Sequence, residues 1–509
     1  MPAYPPEPSR LERTLPRLRS LVEDAGCKVA LTTAFLLEMA QAIFELAPEL
    51  KALSWLSVNE ASDPIDPSQI VAIAPDQTCF IQYTSGSTGT PKGVVLTHQN
   101  LMTNERQIQQ AMQMSSTSHV VSWLPTYHDM GLIGMLFQPM FVGSSCTFMS
   151  PLTFLQKPIR WLRAISKYQA YSSGAPNFGY DLCVRRVKPA ELAGLDLSCW
   201  EVAYCGAERV RTGTLRRFLE KFAAVGFKAS SFTPVYGLAE GSLLVSGRRG
   251  PIQIENIDKH SLENEQRAVV TAPSADCLEF VGCGAEVDGE TIRVVEPQHR
   301  TVLPDGQIGE VWVQGPNVAK GYWNKPELSE RALRAQLSDG SGAFMRTGDL
   351  GYLRGGELFI VGRLKDIVII RGRNYFPDDL ENAVESAHRA LRPGCSAVFA
   401  VDRADAEHLV VVAELERRRL ISDEPPDPRR IDPTPHLNDP GDPPIDPEEV
   451  AMAIQQKISE TFQLRADHIW LLRAGTISKT SSGKIQRHLC RRDFESAQMV
   501  TVYQLKVGR

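Results

Sequence analysis

The chain has 509 residues, 43% hydrophobic and 23% charged, with a formal net charge of −5, the make-up of a globular protein with room for about three domains by length. A mildly acidic total gives no general attraction to nucleic acid or an anionic membrane. No apolar run reaches the roughly 18 residues that span a bilayer, and MPAYPPEPSRLER lacks the apolar core of a signal peptide, so a cytoplasmic setting is expected. Ten cysteines lie scattered with no C-x-x-C pair, which argues against a disulfide framework or a zinc site.

Along the chain, residues 78–85 read as a buried strand and Gly93–Thr97 as a second, joined by Thr84-Ser85-Gly86-Ser87-Thr88-Gly89-Thr90-Pro91-Lys92. Glycines let the backbone approach a ligand closely, the hydroxyls donate hydrogen bonds and Lys92 supplies a cation, which together suit phosphate. A P-loop is excluded because Pro91 stands where that motif needs its second glycine; a plain polar turn between strands is the alternative. A helix over 99–112 follows, capped by Thr97 or His98. Ile159, Leu162 and Ile165 predict a helix on a sheet. In 213–225, Leu215, Phe218, Leu219, Phe222 and Val225 form one apolar face, and Gly226 ends the helix. This alternation up to about residue 250 is an α/β pattern.

After Gly250, strand candidates at 291–295 and 308–313 and the turn Leu303–Gly306 predict a smaller antiparallel or barrel-like region. From Arg363 the pattern is mixed, with strands expected at 366–370, 396–402, 408–415 and 467–472 and helices at 378–390 and 448–461. Asp446, Pro447 and Glu449 predict the last helix's N-terminus, the glutamate answering the cap residue. The proline- and aspartate-rich stretch 425–446 predicts an exposed loop.

Four further motifs carry chemistry that a nucleotide with magnesium requires. Tyr236-Gly237-Leu238-Ala239-Glu240 brings an aromatic ring and a carboxylate together, Thr347-Gly348-Asp349 places an acid after a glycine, Gly362-Arg363-Leu364-Lys365-Asp366 opens the last region, and Thr480-Ser481-Ser482-Gly483-Lys484 presents a lysine near the end. In this order the motifs resemble the adenylate-forming superfamily of acyl-CoA synthetases, adenylation domains and luciferases. The resemblance implies a large AMP-binding domain over 1–362 and a small mobile α+β domain over 363–509. It assigns phosphate binding to Thr84, Ser85, Gly86, Ser87, Thr88, Gly89 and Lys92, the adenine side to Gly206, Ala207, Glu208, Tyr236 and Gly237, magnesium to Glu240, ribose to Asp349 beside Arg363, and catalysis to Lys484. For each residue the plain structural role stays open: a turn cap for Asp349, core packing for Tyr236, a solvated surface for Lys484.

Trp123–Gly134, Ser173–Cys183 and Gly372–Glu381 resemble fatty acyl-AMP ligases. These relatives use ATP and magnesium to convert medium- or long-chain fatty acids to acyl-AMP, then load the phosphopantetheine thiol of an acyl carrier protein, often on a polyketide or peptide synthase. An acyl-CoA ligase, another adenylate-forming ligase or an inactive shortened relative is the alternative. By the resemblance, residues 251–284 match an inserted segment associated with poor use of CoA, and His128 lies near the reacting groups, where it orients them or bonds Asp129 for structural reasons. Met1–Pro6 resembles a segment that in the family follows about 80 to 90 residues of the large domain; a shortened large domain would expose apolar surface.

Overall fold

The computed structural model describes residues 1–3, 11–38, 40–60, 71–84, 92–370, 373–403, 406–416, 444–480 and 483–506. Short, largely buried strands form its central sheet, in the order Leu244–Gly247, Phe232–Gly237, Val202–Cys205, Ser172–Ala175, Val120–Ser122 and the partly exposed edge strand Cys146–Phe148. All neighbours run parallel except the antiparallel pair Leu244–Gly247 and Phe232–Gly237. Strands covered on both faces need apolar residues throughout, and the cover comes from the helices anticipated in sequence. Ile159–Tyr168 buries Ile159, Leu162 and Ile165 as expected and adds Trp161, while Thr212–Phe222 buries Leu215, Phe218 and Phe222. Its extension ends at Gly226 with φ +89°, a left-handed position that glycine takes without steric cost. Two polar groups are threaded through this core with partners: Trp161 Nε1 donates to Ser173 Oγ at 2.8 Å, and the Tyr180 hydroxyl to the Tyr204 carbonyl at 2.6 Å.

The expected hairpin is Thr78–Thr84 with Lys92–Thr97, extended by Gly321–Tyr322. Thr97 caps the helix His98–Met112 in a reciprocal box with Asn100, whose amide also donates to the carbonyls of Pro316 and Val318 at 2.8 and 2.9 Å. That bond set ties the hairpin to a segment more than two hundred residues away. The smaller antiparallel region is a sheet of Thr291–Val295, Gly309–Gln314, Met345–Arg354 and Glu357–Arg363, in which Asp349 stands opposite Arg363. Residues 251–284 form a separate pair, Ile254–Asp258 with Cys277–Val281, around the helix Lys259–Glu265.

Beyond Arg363 a second hydrophobic core begins at Val368, with Val384, Val411, Ile454 and Ile469 among its buried members. Its sheet is Leu391–Arg403, Ala406–Leu415, His468–Leu472 and Thr501–Lys506, covered by Pro377–Ala387 and Pro447–Phe462. The chain is thus a mixed α/β protein with a large first part and a small second one. Residues 364–366, where a strand was expected to begin, make a tight turn, and the strand is Val368–Ile370. Asp446 does cap its helix, accepting from Glu448 N at 2.9 Å, but Glu449 lies 3.9 Å from His388 Nε2 instead of answering the cap. Most of the expected loop 425–446 lies outside the described residues; its last part is packed, with Ile445 buried.

At the other end, Val29–Thr32 and Ser54–Ser57 form a parallel pair. Leu31, Phe35 and Leu56 are 70%, 66% and 53% exposed. Among the described residues no helix is long and apolar enough to cross a membrane. All ten cysteines are free.

Candidate active site

A cavity of about 1340 Å³ runs between the large part and the small one. Its wall is built where strands end: Thr84 and Lys92 face each other at the open end of the hairpin, Tyr236 and Gly237 close the strand Phe232–Gly237, and Asp349 and Arg363 form one register pair. All six line the cavity, as do His128, Ala207, Glu208, Glu240 and Lys484. Ser85, Gly86, Ser87, Thr88 and Gly89 lie outside the described residues. Gly206 is the expected site residue that does not line the cavity. A Cβ on it would sit 2.8 Å from the Val235 carbonyl, so it serves the close approach of two strands. Gly237 does both: it faces the cavity, and a Cβ there would meet the Leu243 carbonyl at 1.8 Å.

Asp349 is nearly buried and held from two sides, by the Tyr236 hydroxyl donating to Oδ2 at 2.8 Å and by Arg363 Nε 3.0 Å from Oδ1. Tyr236 therefore positions the acid as well as presenting a ring to the cavity. Glu240 accepts from the Tyr322 hydroxyl at 2.9 Å; burial pushes its carboxyl up, opposed by that bond and by the cations Lys92 and Arg363. Lys92 Nζ lies over the Tyr322 ring, 5.6 Å from its centre.

Lys484 sits at the tip of a tight hairpin: Thr480 N donates to the Lys484 carbonyl at 2.8 Å, and Lys484 N to Thr480 Oγ1 at 3.0 Å. Gly483 takes φ +87° beside Phe178. Burial and the Arg363 guanidinium lower the Lys484 ammonium's pKa, while Asp129, Glu208 and Asp349 oppose the fall. Lys484 is thus a cation set among three acids and one guanidinium. His128 Nδ1 lies 2.6 Å from Asp129 Oδ1, and Met130 N donates to the same oxygen at 2.7 Å. Burial alone would raise Asp129's carboxyl, yet His128 and Lys484 bring it down to about 2. Of the two roles expected for His128, the bond to Asp129 is present in this contact.

Several residues that hold the site were not visible in the sequence. Asn177 clamps the 206–211 loop, donating to Glu208 Oε1 and the Arg209 carbonyl and accepting from Arg211 N, each at 2.9 Å. Arg487 fans onto Asp366, Asp378 and Glu381 at 3.2, 2.9 and 2.6 Å, fixing the root of the Lys484 hairpin to the turn at 364–366. Arg209 and Arg211 cross to the small part, reaching Asp379 at 2.7 Å and Glu385 at 3.0 Å. Arg209 also covers the Phe280 ring at 4.0 Å, so one side chain joins three segments. Arg17, on the helix Leu11–Ala25, lines the cavity near Tyr127. That helix is anchored by Asp24, which accepts from the Tyr83 hydroxyl at 2.6 Å and pairs with Lys325 at 2.7 Å. Partnerships across 170 or more residues leave no local signal; only the charge of each residue was there to read.

Away from the charges the cavity turns apolar. Ile108, Trp123, Met135, Leu243 and Leu244 line it, with Trp123 stacked on Phe154 at 4.0 Å. A helical segment with the wider π winding, Ile133–Phe137, forms part of this wall and contributes Gly134. Such windings recur at functional sites.

Lys92, Asp349, Lys484 and an apolar recess meet in one cavity between a large and a small part, and this fold and cavity are those of an adenylate-forming enzyme. The family model for AMP-binding enzymes matches residues 8–323, and the chain belongs to that family. It is 40% identical over 502 residues to the medium-chain-fatty-acid–[acyl-carrier-protein] ligase JamA of Moorena producens, covering 97% of this chain and 81% of that one. The long-chain-fatty-acid–AMP ligase FadD26 of Mycobacterium marinum is 34% identical over 442 residues, covering 84% and 72%. Among solved structures, the fatty acyl-adenylate ligases from E. coli and L. pneumophila superpose with TM-score 0.80 at 31% identity over 95% of this chain and 81% of that one. The L. pneumophila ligase in complex with acyl adenylate and pyrophosphate gives 0.67 at 32%, covering 97% and 82%.

Proposed function

We propose that the protein activates a medium- or long-chain fatty acid with ATP to acyl-AMP and pyrophosphate, then transfers the acyl group to the phosphopantetheine thiol of an acyl carrier protein. The observation that carries this reading is Lys484, a half-buried cation in the cavity that also holds Asp349, Glu208 and the apolar recess around Trp123. In the first step a carboxylate oxygen of the acid bonds to the α-phosphorus and the bond to the β-phosphate oxygen breaks. Lys484 offsets the negative charge gathered between carboxylate and α-phosphate. Asp349, held by Tyr236 and Arg363, takes the ribose hydroxyls; Lys92 and Arg17 face the departing pyrophosphate. In the second step a thiolate sulfur bonds to the acyl carbon, the bond to the AMP oxygen breaks, and the thiol proton passes to solvent. A fatty acid is already ionised near neutral pH, so His128 orients and does not deprotonate.

Magnesium fits the residues present. Among the described residues no cluster of three or more His, Cys, Asp or Glu could hold a metal alone. One carboxylate completed by phosphate oxygens and water is a donor set magnesium accepts. Glu240, whose burial disfavours its charge, would supply that carboxylate, and the ion would shield phosphate charge.

We take the chain as two domains divided at 362/363, with a hinge in the turn Leu364–Asp366, because the second hydrophobic core begins just after it. Both half-reactions need one site, so the small domain would rotate about this hinge between them. Residues 251–284 contact that domain: Lys259 Nζ donates to the Thr461 carbonyl at 3.1 Å, and Arg209 joins Phe280 to Asp379. Such contacts would restrain the rotation and favour carrier protein over CoA. Ten free cysteines suit the reducing cytoplasm, where we place the protein. ATP–pyrophosphate exchange across a panel of acids tests the first step: fatty acids should support it, and selective exchange with an amino acid would overturn the reading.

A further inference from the structure

The chain is acidic overall, yet residues 151–190 hold seven Lys and Arg against one acid, Asp181. Asp181 is buried and engaged, accepting from Thr214 Oγ1 and Arg217 Nη2 at 2.8 Å each. Glu191, just past this stretch, pairs with Lys157 at 3.8 Å, and the six remaining cations leave the outer surface net positive. On the helix Ile159–Tyr168, Arg160, Arg163 and Lys167 are exposed at a spacing that puts them on one face, opposite the buried Ile159, Leu162 and Ile165. Arg185, Arg186 and Lys188, also exposed, follow at the C-terminal end of the helix Asn177–Arg186.

Hydrogen bonds make this one continuous surface. Arg160 Nη1 donates to the Thr153 carbonyl at 3.4 Å and Arg186 Nη1 to the Leu155 carbonyl at 3.1 Å, so both cationic helices lean on the helix Pro151–Gln156. That helix exposes Leu152 and Leu155, 62% and 42%. The surface runs into the cavity: Leu155, Arg185 and Arg186 line it, facing Arg392 and Pro393 of the small part. Arg185 spans the gap to Glu416 at 3.3 Å. The cations stand on the rim of an opening that leads to Lys484.

We propose that this face, Arg160, Arg163 and Lys167 together with Arg185, Arg186 and Lys188, docks the phosphopantetheinylated carrier protein. The inference rests on the carrier reading of the preceding section and gives it a location. A carrier's arm is joined through a phosphodiester, an anion at any working pH, and its thiol must enter while its body stays outside. Arg185 and Arg186 stand where that phosphate would halt as the arm passes inward, since guanidinium pairs with phosphate oxygens in two-pronged bonds. The outer row on Ile159–Tyr168 would meet acidic side chains of the carrier's body, and Leu152 and Leu155 supply the apolar centre that a docking surface needs. CoA brings no protein body to the outer row, so the row favours a carrier acceptor. The same combination of cations and exposed leucines suits an anionic membrane, which the test separates.

The test uses the full chain and two charge reversals, Arg186→Glu with Lys188→Glu near the rim, which leaves the Arg185–Glu416 pair in place, and Arg160→Glu with Arg163→Glu away from the cavity. Probes are a discrete bacterial holo-acyl carrier protein, N-acetylcysteamine as a bodiless thiol, and phosphatidylglycerol vesicles. Both variants should keep ATP–pyrophosphate exchange and capture by N-acetylcysteamine within about twofold, raise the carrier KM about tenfold, and lessen its dependence on salt. Fluorescence anisotropy of labelled carrier should show binding by the wild type that both variants lose. Because that binding needs no turnover, it reads the surface even if the chain adenylates a different acid, which would defeat the functional reading alone. Carrier binding and KM unchanged in both variants would overturn the proposal, as would a wild type that does not bind the carrier. Vesicle binding abolished by the reversals with carrier KM unaltered would overturn it in favour of a lipid surface.

Discussion

The central sheet and the seam between the two parts of the chain are built from opposite materials. Against the sheet, Trp161, Trp200, Phe218 and Phe232 are fully buried, and their rings pack edge to face. Across the seam run ion pairs: Arg209 with Asp379, Arg211 with Glu385, Arg185 with Glu416. Polar, modest contacts of this kind let two bodies part and rejoin. Under the proposed function, the comparison teaches that the substrate's chain would be recognised by the apolar side, while the reacting charge would be managed from the small part. Lys484 belongs to the second material and the recess around Trp123 to the first.

The comparison breaks most sharply at Lys484. Lys484→Ala should lower adenylation by about 10²- to 10³-fold, the size of a lost preorganised electrostatic contact, with thermal unfolding unchanged. Transfer from chemically supplied acyl-AMP should survive better, because no attack on ATP remains. The ammonium must be charged to act and its pKa is lowered, so adenylation should fall with rising pH earlier than an ordinary lysine would dictate. Measuring both half-reactions separately checks this; equal modest losses would show a merely structural lysine.

The seam gives the next effect. Arg209 and Asp379 are almost buried, 9% and 6% exposed at their side chains, and removing one partner of such a pair leaves an uncompensated charge. Arg209→Ala should slow adenylation roughly tenfold by weakening the closed arrangement, and Arg209→Ala with Asp379→Asn should recover part of the loss. No recovery in the double variant would mean that Arg209 acts only through Phe280.

On the apolar side the expected effects are graded. Each methylene of the acid buried in the recess should contribute up to about 0.8 kcal/mol, near fourfold in kcat/KM, until the recess ends. A Cβ at Gly134 would stand 3.0 Å from Leu243 Cδ2, so Gly134→Leu should shift the optimum to shorter acids. A flat response from acetate to dodecanoate would remove the recess from the account.

The smallest effect is a matter of stability. Burial raises Glu290's carboxyl to about 9, opposed by its bond from Asn317. Its folded pKa lies above the unfolded one, so between pH 4.5 and about 9 the native state keeps a proton that the unfolded chain gives up, and stability falls as pH rises. Glu290→Gln removes that slope: no gain at pH 4.5, and a gain of about 1 kcal/mol or more at pH 8 in denaturant unfolding. A pH-independent difference would show that the residue is already charged when folded.

What could be read from sequence follows the same division. The hairpin around Lys92, the helix over 212–222 and the order of the motifs were legible because each is local: a period, a cap, a glycine before an acid. The strand expected at 366–370 was begun two residues early, because Asp366 and Ile367 adjoin Val368 to Ile370, whose apolar pattern runs back into the turn that precedes it. Glu449 was misread because a capping box is decided by where the side chain finds its partner, and His388 lies just past the end of another helix. Gly206 has the family's motif position but answers a packing need set by Val235, about thirty residues on. The seam was invisible altogether: nothing adjacent to Arg209 signals Asp379. Asn177, by contrast, stood inside a recognised motif, but its role as a clamp appears only once the 206–211 loop is folded over it.

The account's central claim is that one cavity joins a fatty acyl chain to AMP and releases it to a carrier thiol. The most direct measurement incubates the protein with ATP, magnesium and octanoate, dodecanoate or hexadecanoate. Holo-acyl carrier protein or CoA is then added, and acyl-AMP, acyl-carrier and acyl-CoA are followed by mass spectrometry. The account predicts acyl-AMP from each acid the recess holds, rapid loading of the carrier and little acyl-CoA. Acyl-CoA formed as fast as acyl-carrier, or no acyl-AMP from any fatty acid, would contradict it.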